Sequence, residues 1–312
     1  MKRVYAISVL VIIVLLNLLL ISCDTTDPNN YNDYHNKILF TSSRSGKPQL
    51  YVMNPDGSGI RQITSGNYWH TDGRWSPDAK QIVCNTLENS STAGLEMVVM
   101  NVDGSNRKLL GYGNQMSWHP NGGKIIYENC PSCEIGIFEA ALYIIDSNGQ
   151  NRIKLPIEGG YPDWSPDGNN ILISVPHYED SKLSAQLTIV DYPNFSNAKP
   201  VGPVNAGYAV WSPNGTEIAY AYTDSLYTVN GTPLSNIYLM DSDGSNLKKI
   251  SNHSTTEHYF LPRWSPDGQK IIFLAQTVDG SEKSYLYIVN KDGTNLHKVI
   301  GDSSIKSCDW SK

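Results

Sequence analysis

From Lys37 onward the apolar positions fall into short runs divided by clusters of Ser, Pro, Asp, Asn and Gly. Ile82-Val-Cys84, Ile125-Ile-Tyr127, Ile171-Leu-Ile173, Ile218-Ala-Tyr220 and Ile271-Ile-Phe273 each follow a Trp-Ser-Pro-Asp-Gly-type segment. After a variable stretch comes a second run, as in Met97–Met100, Leu142–Ile145, Ile237–Met240 and Leu286–Val289. An Asp-Gly or Asn-Gly pair follows (Asp103-Gly104, Asn148-Gly149, Asp243-Gly244, Asp292-Gly293), then a last short segment carrying Lys or Arg, such as Asn106–Leu110. Runs this short, punctuated this way, predict strands joined by hairpins. With the stretch before each Pro-Asp-Gly turn, they make four strands to a unit.

The unit repeats. Trp75, Trp118, Trp164, Trp211, Trp264 and Trp310 mark it at spacings of 43, 46, 47, 53 and 46 residues. In the turn after each Trp, Pro presets φ, Asp or Asn bonds the backbone ahead, and Gly takes the left-handed conformation. The Trp itself is a large apolar plate suited to packing one twisted sheet against the next. One such sheet cannot bury both faces alone, whereas six around an axis can, and they leave few free edges. Residues 37–63 supply only strands two to four of a unit, and Ile305–Trp310 supplies the missing innermost one. The expectation is an all-β, six-bladed propeller over residues 37–312, four antiparallel strands per blade, closed by the C-terminal strand joining the N-terminal blade.

Composition narrows the class further. Charged residues are 17% of the 312 and hydrophobic ones 40%, too weakly charged and too apolar for a disordered chain. A net charge of −6 with no basic excess excludes a nucleic-acid footprint. Lys2 and Arg3 precede an apolar run, Val4–Ile21, that ends in Leu20-Ile-Ser-Cys23. This reads as a secretory signal over residues 1–22, and the tetrapeptide resembles a bacterial lipoprotein signal in which Cys23 is lipidated. An uncleaved membrane anchor is the other reading. Residues 23–36 lack apolar periodicity and read as a flexible tether. Either way the body lies outside the cytoplasm, held to the cell envelope through its N-terminus, with the leaflet left open.

The repeat itself, W-S-P-D-G, I-x-F, L-Y-V-M-N-x-D-G, resembles the WD40-like (PD40) repeat of TolB-type six-bladed propellers, over nearly all of residues 37–312. TolB carries an α/β domain before its propeller, and here only a short tether stands in that place. The resemblance therefore implies the propeller, and a binding role for it, more directly than it implies TolB's own part in the envelope.

Candidate chemistry is sparse. The strand two-to-three loops are long and share a face with the connections between blades, which is the usual layout of a binding surface. Those connections carry Tyr68, Trp69, His70, Tyr112, Tyr161, Tyr208, His258 and Tyr259, read as a ligand-binding mouth or as rings capping the blade ends. Just before the Trp residues lie Arg74, Arg263 and Asp309, expected to form an Arg–Asp–Arg charge cluster across the closing seam. Cys130-Pro-Ser-Cys133 suits a local disulfide or two free thiols, while Cys84 and Cys308 read as small core residues. No second Cys pair, H-E-x-x-H or G-x-S-x-G occurs, so no catalytic residue, metal ligand set or cofactor is expected. His70, His253 and His258 leave calcium or another divalent metal at the mouth as a weaker alternative.

These features together predict a non-catalytic scaffold that needs no cofactor: a monomeric envelope lipoprotein whose long-loop face binds an envelope protein or peptide. The alternative is a carbohydrate-binding or lyase-like propeller using the aromatic and histidine mouth. A purely architectural spacer is the third.

Overall fold

A computed structural model describes residues 34–87, 95–129, 141–179, 182–229, 232–252, 256–281, 283–302 and 305–312. Within these, 24 strands, β1 to β24 in chain order, form six four-stranded antiparallel sheets. The innermost strands are β4 (Trp69–Trp75), β8 (Asn114–Trp118), β12 (Gly160–Trp164), β16 (Ala206–Trp211), β20 (Glu257–Trp264) and β24 (Cys308–Trp310). Each touches the next around the axis, and β20, β24 and β4 complete the circuit.

The ring closes as the repeat predicts. β24 pairs with β1 (Ile38–Ser42) in the register Ile38 to Trp310, Leu39 to Asp309 and Phe40 to Cys308. Strands β2 (Gln49–Met53) and β3 (Arg61–Gln62) finish that blade. The closure reaches further toward the N-terminus than the predicted tether boundary. The Trp310 indole donates to Asn36 Oδ1 at 2.8 Å and His35 Nδ1 lies 2.7 Å from the Lys312 carbonyl, so residues 35 and 36 belong to the ring. Cys23, Cys130, Cys133 and His253 lie outside the described residues.

Why the second strands are apolar without alternation is now clear. In β9 (Lys124–Asn129), Ile125 and Tyr127 pack with Val83, Met97 and Trp118, while Ile126 packs with Leu142, Trp164 and Ile171. Both faces of each sheet are interior, so both parities of a strand must be apolar. The repeat Trp sits between the blades in these clusters, as in Trp264 against Val210, Ile237 and Phe273. Burying such a side chain contributes on the order of 2–3 kcal/mol.

The Ser-Pro-Asp-Gly turns repeat one hydrogen-bond scheme. The Ser165 hydroxyl donates to Asp167, and the Asn170 and Gly168 amides donate back to Ser165 Oγ and its carbonyl, each at 2.9 Å. Ser76 and Asp78 do the same two blades away, where Ala79 takes the left-handed position at φ 53°. At the opposite ends of the blades, the strands of two hairpins are the longest among the described residues. β13 (Asn170–Glu179) with β14 (Lys182–Asp191), and β17 (Glu217–Val229) with β18 (Thr232–Asp241), rise on neighbouring blades.

Candidate functional site: the central channel

The innermost strands share a feature that their sequences do not advertise. Five of them slip register three residues before the Trp, and the residue at the slip is left-handed: Asp72, Gln115, Tyr161, Tyr208 and Leu261, at φ 50–54°. Such a bulge re-aims side chains. Gln115, Tyr161, Tyr208 and Leu261 from that tier line one cavity with the tier just before each Trp: Arg74, Ser117, Asp163, Val210, Arg263 and Asp309. The cavity measures about 170 Å³ and opens among the Trp-Ser-Pro turns.

The charges there are arranged by blade contacts. Asp309 Oδ1 lies 3.6 Å from Arg263 Nε, both partly buried, and Asp309 Oδ2 accepts the Trp75 amide at 2.8 Å. Asp309 thus reaches the blade of β4 through backbone, not through the Arg74 guanidinium. Arg74 Nη1 instead donates to the Gly73 carbonyl at 3.0 Å and the Cys308 carbonyl at 3.5 Å. Asp163 repeats the staple on the opposite side of the ring: its carboxylate accepts the Trp211 amide at 2.9 Å and the Ser117 hydroxyl at 3.1 Å. Burial pushes the Asp163 and Asp72 carboxyls up, with arginine charge pulling each back. Burial, then the neighbouring Arg74 charge, works against the Arg263 cation.

At the long-loop end the floor is aromatic. Tyr161 and Tyr208 meet edge to face at 4.5 Å, and Tyr208, Phe260 and His258 continue the contact across to the next blade. The two Tyr residues also floor a cleft of about 380 Å³ whose walls, Ser174 and Ala185 on one side and Thr223 and Ser235 on the other, are the bases of the two long hairpins. Beside it Glu128 is buried, accepts the Tyr161 amide at 3.2 Å, and is pushed up to about 7 by burial.

The predicted mouth residues therefore separate into three groups. Tyr161, Tyr208 and His258 join the channel ladder. Tyr68, Trp69 and Tyr112 are exposed on the rim, with Arg107 over the Tyr68 ring. His70 and Tyr259 are buried between blades: His70 Nδ1 lies 3.1 Å from Gln49 Oε1, and Tyr259 packs on Phe273. The period of two in a strand decides this, because residues flanking a channel-facing position turn away from the channel. Burial and the Arg107 charge lower the His70 pKa to about 4. Cys84 and Cys308 are buried thiols, each pushed up to about 12 by burial. Among the described residues no three of His, Cys, Asp and Glu gather as a metal site.

A family model described as "TolB beta propeller domain" matches residues 20–168. The chain is a six-bladed propeller, and just under half of it is similar to the TolB propeller family. TolB from Acinetobacter baumannii superposes with a TM-score of 0.69 at 18% identity, over 89% of this chain and 67% of that one. A TolB-assigned protein from Agrobacterium tumefaciens gives 0.62 at 17%, over 88% of this chain and 92% of that one. An oligogalacturonate lyase in complex with manganese gives 0.52 at 13%, over 86% and 75%. At these identities the likeness is one of fold. Asp72, Gln115 and Glu128 have no counterpart among the residues predicted from the sequence. Counting back three from each Trp finds Asp72 and Gln115.

Proposed function

We propose that this TolB-like chain is a lipid-anchored protein of the cell envelope that binds another envelope protein, or a peptide, and performs no reaction of its own. The observation that carries this is the cleft of about 380 Å³ between the long hairpins, floored by Tyr161 and Tyr208. Half-buried tyrosines in a concave, largely preformed site supply contact area at small entropic cost. The TolB likeness supports a binding propeller, and the Cys23 motif supports anchoring outside the cytoplasm. Replacing Tyr161 and Tyr208 together with Ala should abolish photo-crosslinking of an envelope partner from a probe at Thr223. Retained crosslinking in a folded double variant places the partner elsewhere. Metabolic palmitate labelling lost in Cys23→Ala tests the anchor.

The exposed rim of Tyr68, Trp69 and Tyr112 favours the second reading, a carbohydrate-binding propeller. A glycan array with the Trp69→Ala variant separates the two.

A further inference from the structure

Arg74 is only 6% exposed, yet its guanidinium lines the cavity at the short-turn end of the channel. One nitrogen, Nη1, is bonded to two carbonyls; among the described residues Nε and Nη2 have no acceptor and no carboxylate comes within ion-pair distance. The two carboxylates of the lining are already engaged. Asp309 is held by Arg263 and the Trp75 amide, and Asp163 by the Trp211 amide and the Ser117 hydroxyl. Arg74, Arg263 and Lys312 line the cavity with Asp163 and Asp309, and Asp72, two residues before Arg74, adds a third carboxylate whose charge acts on both arginines. A guanidinium withdrawn from water is costly without an anion, and its free edge matches a planar, doubly accepting group.

We propose that Arg74 anchors a carboxylate-binding site, entered from the face of Ser-Pro-Asp-Gly turns, with Arg263 beside it and the repeat Trp residues as its wall. The site shares only Tyr161 and Tyr208 with the hairpin cleft, and its test, which alters Arg74, is separate from that reading. The carboxylate belongs either to a peptide C-terminus or to a small sugar acid.

The test is tryptophan fluorescence of the full chain in detergent, titrated with acetyl-trialanine, its C-terminal amide, galacturonate and methyl galacturonate ester. Trp75, Trp118, Trp164, Trp211, Trp264 and Trp310 all border the cavity, so occupation should change the signal. One or both free acids should give saturable binding, and which one does identifies the source. The matching amide or ester should bind at least about tenfold more weakly. Arg74→Gln should lose a similar factor and Arg74→Lys less, while Lys249→Gln on an outer strand changes nothing. The proposal is overturned if neither acid binds up to ~10 mM, a ceiling set by the affinity one such pair supports, or if acid and blocked form bind alike. It is equally overturned if folded Arg74→Gln binds as the wild type does. Should Arg74→Gln fail to fold, the comparison of acid with amide on the unaltered chain decides.

Discussion

The two ends of the channel are made from one repeat, yet they differ in kind. At the short-turn end the backbone is uniform, and the differences are single side chains presented on it: Arg74, Asp163, Arg263 and Asp309 in one tier. At the long-loop end the backbone itself varies, with two hairpins raised above the rest and an aromatic floor between them. A repeat fixes where a side chain stands and leaves its chemistry free. Identical geometry therefore turns one substitution into different experiments at different blades.

Asp309→Asn and Asp163→Asn make the largest such contrast. Both carboxylates accept the amide of the next blade's Trp, and an Asn oxygen can keep that bond. Only Asp309 also pairs with a cation among the described residues, Arg263 at 3.6 Å. Removing its charge takes from the largely buried Arg263 guanidinium its one ion-pair partner among the described residues, at a cost of about 3–5 kcal/mol. That corresponds to a fall in Tm on the order of 10 °C for a domain of this size. Asp163→Asn should stay within about 1 kcal/mol, because burial already disfavours that carboxylate. Equal losses, measured by thermal unfolding, would erase the distinction between the two staples.

What could be read in advance follows the same division. The blade count, the closure of Ile305–Trp310 on the first blade and the seam residues Arg263 and Asp309 all follow from a repeat whose Trp residues supply the frame. The left-handed bulge does not, because Asp, Gln, Tyr and Leu occupy it where Gly would have announced it. His70 and Tyr259 were grouped with the mouth because they are near it in sequence, whereas strand parity turns them inward. Glu128 carried no motif at all: its role comes from the blades that close over it.

The pH dependence of stability sharpens the comparison within the ring. An unfolded histidine, near 6.5, accepts a proton that folded His70 refuses down to about 4. Its contribution is therefore complete above pH 6.5 and is lost as pH falls toward 4, by about 3 kcal/mol. Glu128 runs the other way. Folded, it keeps its proton up to about 7, whereas the unfolded group releases it near 4.5. Stability is complete below 4.5 and is lost as pH rises to 7, by about 3 kcal/mol at most. Glu128→Gln should thus raise Tm above pH 7 and leave it unchanged near pH 4.5. His70→Gln should flatten the acid limb alone. A variant that shifts Tm equally at all pH values would show that its group does not titrate on unfolding.

The smallest expected effect tests the uniform end most directly. Ala79 sits left-handed at φ 53° where the corresponding turns carry Gly122, Gly168, Gly215 and Gly268 at φ 66–74°. Its amide donates to the Ser76 carbonyl at 2.9 Å, as the Gly168 amide does to Ser165, so the turn is the same and only the residue is wrong. The left-handed conformation costs a Cβ-bearing residue roughly 1 kcal/mol, and the greater unfolded freedom of Gly returns part of that. Ala79→Gly should therefore gain about 0.5 kcal/mol, a rise in Tm of roughly 1–2 °C. The reverse change is unequal across blades. A Cβ on Gly268 would meet Pro213 at an ordinary 3.6 Å, whereas one on Gly168 would fall 2.6 Å from His119, whose ring is packed on Trp164. Gly268→Ala should lose only the backbone term and Gly168→Ala distinctly more. If the two cost the same, neighbouring side chains do not distinguish these turns, and even the short-turn face is more pliable than its repetition suggests.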